Sequence, residues 1–241
     1  RLHDDCGASI SQYTVELSLG DKFPADRLVF FYHNRVLPLW HFFSKIFTFH
    51  ASAFDFGGSA VVLMGNSGVG KSTTVLKFSE LGGKLIAEDM LGVAMTGNRL
   101  VPVMGPPWIR LCDDVFSALP ALTVQKFVWE YRDGKHIGLQ KYSQFTARTL
   151  NHIGVLVELT RDDGEPRRMS PEEVRTRLLN SIRYGRLAFR LFGPDAWKLL
   201  NSFATRVPAY RVNRKDLNLN FLNSITPTNG REECGGAFHT L

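Results

Sequence analysis

The chain has little cysteine and no long apolar run. Its 241 residues include three cysteines, Cys6, Cys112 and Cys234, which are far apart and show no C-x-x-C spacing. This odd, scattered set excludes a disulfide framework and offers no zinc-site pattern. Polar and charged residues interrupt the most apolar stretch, residues 28–56, so no segment is long enough to cross a bilayer. We therefore expect a protein of the reducing cytoplasm that does not enter the membrane.

Signals for several other protein classes are also missing. The sequence has no internal repeat, no low-complexity tract and no apolar leader after Arg1, so we expect the natural start to lie upstream. Basic residues exceed acidic ones by only six, which is too few to indicate nucleic-acid binding but suits phosphate-bearing ligands. With 44% hydrophobic and 22% charged residues, the composition is that of a globular protein with one large domain.

The first 48 residues predict a β-rich lead-in. Residues 13–19 alternate polar and apolar side chains, and residues 27–33 form a short aromatic and β-branched run, so both are predicted as strands. Residues 39–49 follow a proline and predict a helix, with a core-facing stripe of aromatic residues at three- and four-residue spacing: Trp40, Phe43 and Phe47.

From residue 50 the pattern alternates strand and helix. It predicts strand 51–56, a Gly57-Gly58 turn, strand 59–64, helix 71–81 and strand 84–87. A strand, helix and strand in this order predict a parallel sheet.

The later chain continues this alternation. A buried strand is predicted at 153–159, a capping box at 170–173 opens a helix to about residue 184, and a helix through 196–203 precedes a closing strand at 209–212. We expect the tail 226–241 to be disordered.

A phosphate-binding loop lies between the second strand and the first helix of this region. Residues 65–72 match the pattern G-x-x-x-x-G-K-[ST] at every fixed position, and both flanking elements are the ones that the motif requires. In such a loop, backbone N–H groups surround a phosphate, Lys71 supplies a positive charge to the terminal phosphates, and Ser72 offers a hydroxyl to Mg²⁺.

An acidic pair follows the next strand. Glu88 and Asp89 come 17 and 18 residues after Lys71, which leaves room for one helix and its return strand. Because parallel strands end at the same edge of a sheet, we expect Asp89 beside the loop. Asp89 also begins a D-x-x-G sequence, and residues 160–163 loosely echo the guanine signature of GTPases. The short spacing leaves no room for a switch segment, so a GTPase is the minor alternative.

Three segments together resemble the kinase domain of HPr kinase/phosphorylase and its wider relatives. They are residues 50–57, with His50 15 positions before the first loop glycine as in that family, the loop 65–72, and residues 81–89. The resemblance implies an α/β P-loop kinase of the HPr kinase/PEP carboxykinase-like type, with a β-rich N-terminal layer and a βαβ nucleotide-binding core. The implied domains are a lead-in (1–48), the kinase core (49–225) and the tail.

The resemblance also implies roles for individual residues. Asp89 would be the base that accepts the substrate proton, with His50 and Lys71 completing the catalytic set, and Ser72 and Glu88 would hold Mg²⁺. Weaker similarity downstream adds Arg110 and Lys135 as minor site candidates. ATP would be bound by the loop and the residue after it: Gly65, Asn66, Ser67, Gly68, Val69, Gly70, Lys71, Ser72 and Thr73.

The sequence departs from HPr kinases at several points. Glu88 and Thr73 stand where that family carries aspartate and glutamate, the family's downstream glutamate signature is not found near Arg110, and its N-terminal domain has no counterpart in these residues. We therefore expect an ATP-dependent serine kinase whose acceptor is a peptide, lasso-peptide-like, or a small protein rather than HPr. The alternative is a nucleotide-binding regulatory module or GTPase without kinase activity.

Arginines concentrate between residues 161 and 190. Such a run is typical of a solvated helix face, and the alternative is a docking surface for an acidic peptide. The choice of ATP or GTP, a reverse phosphorylase reaction, the natural acceptor and homo-oligomerisation stay open at this level.

Overall fold

The computed structural model describes residues 6–11, 13–20, 28, 31–81, 83–105, 108–112, 125–127, 135–139 and 152–226. The strands are β1 (Cys6–Ile10), β2 (Val15–Leu19), β3 (Phe47–Phe49), β4 (Ser52–Phe56), β5 (Ser59–Met64), β6 (Lys84–Ala87), β7 (Leu91–Thr96), β8 (Arg99–Val103), β9 (Trp108–Cys112), β10 (Gln125–Phe127), β11 (Lys135–Leu139), β12 (Ile153–Thr160), β13 (Arg167–Arg168) and β14 (Ala209–Asn213). The α-helices are α1 (Leu37–Phe43), α2 (Lys71–Glu80), α3 (Pro171–Ser181), α4 (Gly185–Arg206) and α5 (Leu219–Ile225).

A six-stranded mixed sheet forms the centre of the fold, in the order β13-β14-β12-β5-β4-β6. Strands β14, β12 and β5 run parallel, whereas β4 is antiparallel to both of its neighbours, β5 and β6. Two three-stranded antiparallel sheets, β3-β7-β8 and β10-β11-β9, and the β1-β2 hairpin complete the strand pairings of the described residues.

Both faces of the central sheet are buried, which explains the continuous apolar run of β5. Alternate side chains of this strand point to opposite faces. Val61 and Leu63 pack with residues of α2 and α5, while Val62 and Met64 pack with residues of α3, α4 and the β3-β7-β8 sheet. The protein is therefore a layered α/β fold, with the predicted strands at 59–64, 153–159 and 209–212 confirmed.

Helix α2 follows the phosphate-binding loop and packs on the central sheet. Its buried residues Val75 and Phe78 contact β4 and β6, and the rings of Phe54 and Phe78 stack with centroids 5.0 Å apart. The predicted helix at 71–81 and strand at 84–87 are confirmed.

Helix α3 begins with the predicted capping box. The Ser170 side chain accepts a hydrogen bond from Glu173 N, the Glu173 carboxylate accepts one from Ser170 N, and a proline occupies the first turn. The helix ends at Ser181, earlier than predicted, because Ile182 adopts extended backbone angles and forms an isolated antiparallel bridge with Phe49.

Two predictions for the N-terminal region are wrong. Residues 27–33 were predicted as a strand, but the described residues Leu28 and Phe31 are helical and Tyr32–Val36 form a π-helical turn that leads into α1. The helix predicted at 39–49 ends at Phe43, because Lys45 takes a φ of 54° and the chain turns back into β3, which pairs with β7. The predicted core stripe fails with it, since the Phe43 side chain is 46% exposed.

The predicted parallel sheet is mixed in this region, because β5 and β6 do not pair directly. The two strands run in the same direction, but β4 lies between them and pairs antiparallel with each. The carboxyl ends of β5, β6, β12 and β14 therefore still meet at one edge of the sheet, which is the edge where ligands bind in such folds.

The division into a lead-in (1–48), a core (49–225) and a tail (226–241) stays a prediction, and residues 227–241 lie outside the described part of the chain. Among the described helices, none combines the length and the apolar character that a membrane crossing requires.

Candidate functional site

The phosphate-binding loop connects β5 to α2 at the carboxyl edge of the sheet. Gly65 begins it with a φ of 149°, and a Cβ atom there would lie 2.8 Å from both Leu159 O and Val69 Cγ1. No larger residue fits without a shift of the backbone, because Leu159 O belongs to the neighbouring strand β12. The first glycine of the motif is thus required by close packing between two strands.

Lys71 lies at the first position of α2 and is only 7% exposed. Its Nζ donates hydrogen bonds to Gly65 O at 2.9 Å and to Asn66 O at 3.3 Å, and it lies 3.1 Å from His50 Nε2. The ammonium group is therefore held inside the curve of the loop, where a bound phosphate would meet it.

His50 reaches the loop because a hairpin places it there. Strands β4 and β5 pair with Ser52 opposite Leu63, joined by Gly57 and Gly58 at φ values of 62° and 83°. Such positive values are those of a two-residue hairpin turn. Extending the register by two residues brings His50 level with Gly65, so the hairpin explains their 15-residue separation.

Asp89 stands at the end of β6, with its side chain against His50. Its Oδ1 lies 2.7 Å from His50 Nδ1. Lys71 can only donate, so His50 Nε2 accepts and Nδ1 carries the proton that is donated to Asp89. Asp89 is 7% exposed and adopts a φ of 61°, a left-handed conformation that aspartate tolerates and that is often found at functional sites.

Glu88 turns to the other side of the same strand end. Its Oε1 accepts a hydrogen bond of 2.5 Å from the Ser72 hydroxyl, and the residue is 4% exposed. In the described part of the chain, no three His, Cys, Asp or Glu side chains form a metal-holding group. Two neighbouring oxygen donors nevertheless fit Mg²⁺, which usually takes only one or two protein ligands beside phosphates and water.

Three arginines of the 161–190 run surround the loop. Arg161 Nη2 donates to Gly68 O at 2.6 Å, and both terminal nitrogens of Arg177 lie 3.2 Å from Asn66 Oδ1. Arg183 Nη2 lies 3.2 Å from His50 Nδ1 and 3.8 Å from Asp89 Oδ2. The sequence favoured a solvated face here, with a docking surface for an acidic peptide as the alternative. Neither interpretation placed these three arginines at the loop, although the density of arginines was their signal.

Other arginines of the run are engaged away from the loop. Arg167 and Arg175 form ion pairs with Glu173 and Glu172. The hydrogen bonds from Arg167, followed by the one from Ser170 N, lower the pKa of Glu173 from 4.5 to about 2. These contacts hold the start of α3 and leave the loop-facing arginines as the part of the run that belongs to the site.

A buried carboxylate fixes Arg177. Glu158, on β12, is 7% exposed and lies 3.1 Å from Arg177 Nε and 2.8 Å from Arg211 Nη2. Arg211 also reaches Glu173 at 3.5 Å. These contacts therefore connect the start of α3 to the phosphate-binding loop, where Arg177 binds Asn66.

The structure brings together His50, Lys71, Ser72, Glu88 and Asp89. Thr73 is exposed on α2, next to them in the chain. The backbones of Arg110 and Lys135 lie on the paired strands β9 and β11. The roles of all these residues stay predictions.

The comparisons with known proteins point to one group. No profile of a known protein family matches the chain. The HPr kinase/phosphorylase of an Exiguobacterium species is 38% identical over 61 residues, which are 25% of this chain and 20% of that protein. The protein of the same description from Prosthecochloris aestuarii is 38% identical over 63 residues, which are 26% and 18% of the two chains. The chain thus matches about a fifth of the length of these relatives.

A solved structure with a similar description was also found. The HPr(Ser) kinase/phosphatase from Coxiella burnetii is 14% identical, and the superposition covers 74% of this chain and 90% of that one with a TM-score of 0.38.

Proposed function

We propose that the protein is an ATP-dependent kinase that transfers a phosphoryl group to a hydroxyl. The similarity to two proteins named HPr kinase/phosphorylase supports this proposal. One observation carries the proposal. A buried carboxylate, Asp89, is joined to the lysine of a phosphate-binding loop through a single imidazole, with Asp89–His50 and His50–Lys71 distances of 2.7 and 3.1 Å. A phosphate site with a base beside it is what phosphoryl transfer to a hydroxyl requires.

ATP would be bound by the loop and the start of α2. Backbone N–H groups of the loop and the positive end of the helix dipole favour the phosphates, and Lys71 adds a full charge. In the structure its ammonium donates to two loop carbonyls. Phosphate oxygens would replace one or more of these partners, so Lys71 needs to move only slightly on binding.

Mg²⁺ would be held by Ser72 Oγ and the Glu88 carboxylate, which are already neighbours. The ion would neutralise charge on the β- and γ-phosphates. Glu88 stands where the HPr kinase family carries an aspartate, and both side chains end in a carboxylate. The difference therefore keeps the group that would bind Mg²⁺.

Asp89 would accept the proton of the acceptor hydroxyl. As that oxygen forms its bond to the γ-phosphorus, the bond to the oxygen that leaves with ADP breaks, and the hydroxyl proton passes to the carboxylate. The hydrogen bond from His50 Nδ1 to Oδ1 would orient the carboxylate toward the acceptor. His50 would thus be a positioning residue for the base.

The acceptor we propose is a serine of a peptide or a small protein, in the cytoplasm. The relatives are named for HPr, but this chain lacks their downstream glutamate signature and carries Thr73 in place of a glutamate. The protein would act without nucleic acid or membrane, and a homo-oligomer is compatible with it.

A nucleotide-binding regulatory module or GTPase is the alternative. Such a module needs the loop and Mg²⁺ but no base. Asp89 favours the kinase, because holding a buried carboxylate in a left-handed conformation costs stability that a purely binding site need not expend.

Mass spectrometry after incubation with Mg·ATP tests the proposal. HPr and serine peptides encoded beside this gene would be offered in parallel, with Asp89→Asn as the inactive control. Phosphate on a serine in the native reaction alone supports the kinase. Nucleotide binding without transfer to any acceptor would favour the regulatory module.

A further inference from the structure

Arg183 lies between α3 and α4, and two backbone hydrogen bonds tie this junction to the site. Arg183 N donates to Thr48 O and His50 N donates to Ser181 O, both at 2.8 Å, on either side of the bridge between Phe49 and Ile182. The junction is therefore attached to the segment that carries His50. The position of Arg183 relative to Asp89 therefore depends on the backbone of this junction and not only on a flexible side chain.

The Arg183 guanidinium has a donor without an acceptor among the described residues. Its contact with His50 Nδ1 brings two donors together, because that nitrogen gives its proton to Asp89. Its Nε atom is buried and finds no hydrogen-bond partner among the described residues. A buried donor of a charged group is costly when unpaired, so a ligand that accepts these hydrogen bonds is expected.

Arg177 Nε is likewise buried without a well-formed hydrogen bond, but unlike Arg183 it has a carboxylate close by. Arg177 and Arg211 approach Glu158 to 3.1 and 2.8 Å. Arg183 reaches Asp89 only at 3.8 Å, and its side chain is 37% exposed. An arginine needed only to neutralise Asp89 would be expected at the shorter distance.

The place of Arg183 relative to Lys71 indicates which ligand would supply this acceptor. Lys71 and Arg183 face the same imidazole from opposite sides, at 3.1 and 3.2 Å. A nucleotide with its terminal phosphates on Lys71 would extend along the imidazole, which would bring its last phosphate toward Arg183 and Asp89. We infer that Arg183 binds the γ-phosphoryl group of ATP and stabilises its charge during transfer, an inference that rests on the proposed kinase function.

Calorimetric titrations with two nucleotides test the inference without an acceptor. Mg·ADP and the Mg complex of the non-hydrolysable β,γ-imido analogue of ATP differ only beyond the β-phosphate. In Arg183→Ala the analogue should bind about 10- to 100-fold more weakly, the factor for one hydrogen bond to a charged group, while ADP affinity stays unchanged. Arg183→Gln, which keeps most of the side-chain volume, should behave alike if the alanine variant does not fold.

Two further variants serve as controls. Arg186→Ala removes an exposed arginine three positions after Arg183, at the start of α4, and should change neither affinity. Arg183→Lys keeps the charge but not the fork of donors, so it should recover part of the preference for the analogue. Guanidinium ion added to Arg183→Ala should also recover part of the preference for the analogue over ADP.

Each result decides the matter. Equal weakening of both nucleotides, or an unchanged affinity for the analogue, would overturn the role of Arg183 and leave the kinase proposal intact. Failure of the native protein to bind either nucleotide would overturn the kinase proposal itself, and the role of Arg183 with it.

Discussion

His50 Nδ1 lies 2.7 Å from Asp89 Oδ1, although the two residues flank different strands of the sheet. His50 precedes β4, whose hairpin with β5 also delivers the phosphate-binding loop, and Asp89 follows β6, which pairs with the other side of β4. The base and the loop therefore meet because one antiparallel strand separates the two parallel ones.

Replacement of Lys71 by alanine should abolish most nucleotide affinity and leave the fold intact. The lysine faces the loop and makes no part of either apolar cluster. We expect Mg·ATP to bind at least about 10-fold more weakly, because at least one hydrogen bond to a charged group is lost. Calorimetry measures the affinity and circular dichroism the fold. Lys77→Ala, an exposed position on the same helix, is the control and should bind ATP normally.

Asp89→Asn should separate binding from chemistry. Asparagine has the same shape and tolerates the left-handed backbone, but its amide does not accept a proton at neutral pH. Phosphoryl transfer to a verified acceptor should fall by about 10²–10⁴, the usual contribution of a general base, with nucleotide affinity retained. Asp195→Asn, on the surface beside Lys45, should transfer at the native rate. Native activity in Asp89→Asn would show that the base is another residue.

Gly65→Ala should destabilise the fold as well as the site. The new Cβ would lie 2.8 Å from the carbonyl oxygen of Leu159, at a φ of 149°. We expect the free energy of unfolding to fall by about 1–3 kcal/mol, measured by urea denaturation. Gly164→Ala is the matched control, because a Cβ there meets no atom within 4 Å. Equal stability of the two variants would mean that the loop shifts freely.

Protonation of His41 should reduce stability in mild acid. Burial lowers the pKa of His41 from 6.5 to about 4, and its Nδ1 lies 2.9 Å from the Thr48 hydroxyl. Between these pH values the unfolded chain binds a proton that the folded protein does not, so the free energy of unfolding should fall as pH drops from 6.5 to 4. The full loss from this residue is up to about 3 kcal/mol.

Urea denaturation at several pH values checks this effect. His41→Asn should flatten the dependence between pH 6.5 and 4. An unchanged slope in His41→Asn would assign the acid sensitivity to other groups.

The elements of the nucleotide-binding region could be predicted because their signals are local. The loop motif, the apolar strand β5 and the capping box of α3 each depend on residues close in the chain. Residues 27–33 show where this fails. An aromatic and β-branched run suits a strand or a buried helix equally well, and here burial of His33 and Val36 within a helical turn decides the outcome.

The long-range part of the site left weaker signals in the sequence. No local pattern shows that β4 pairs with both β5 and β6, because each pairing depends on contacts between distant residues. The loop-facing arginines were hidden for the same reason. Arg161, Arg177 and Arg183 look like their neighbours in the run, and only the packing of β12 and α3 selects them.

The hairpin of β4 and β5 implies an order of assembly during folding. Its strands are joined by two residues, and such a hairpin closes in about 1–10 μs. This step alone would bring His50 beside Gly65. Arg183 is 133 positions from His50, so its contact carries a larger loop-closure cost and is expected late. A nascent chain released up to α2 would thus already contain His50, the loop and Lys71, whereas Arg183 would join them only after α3 has been made.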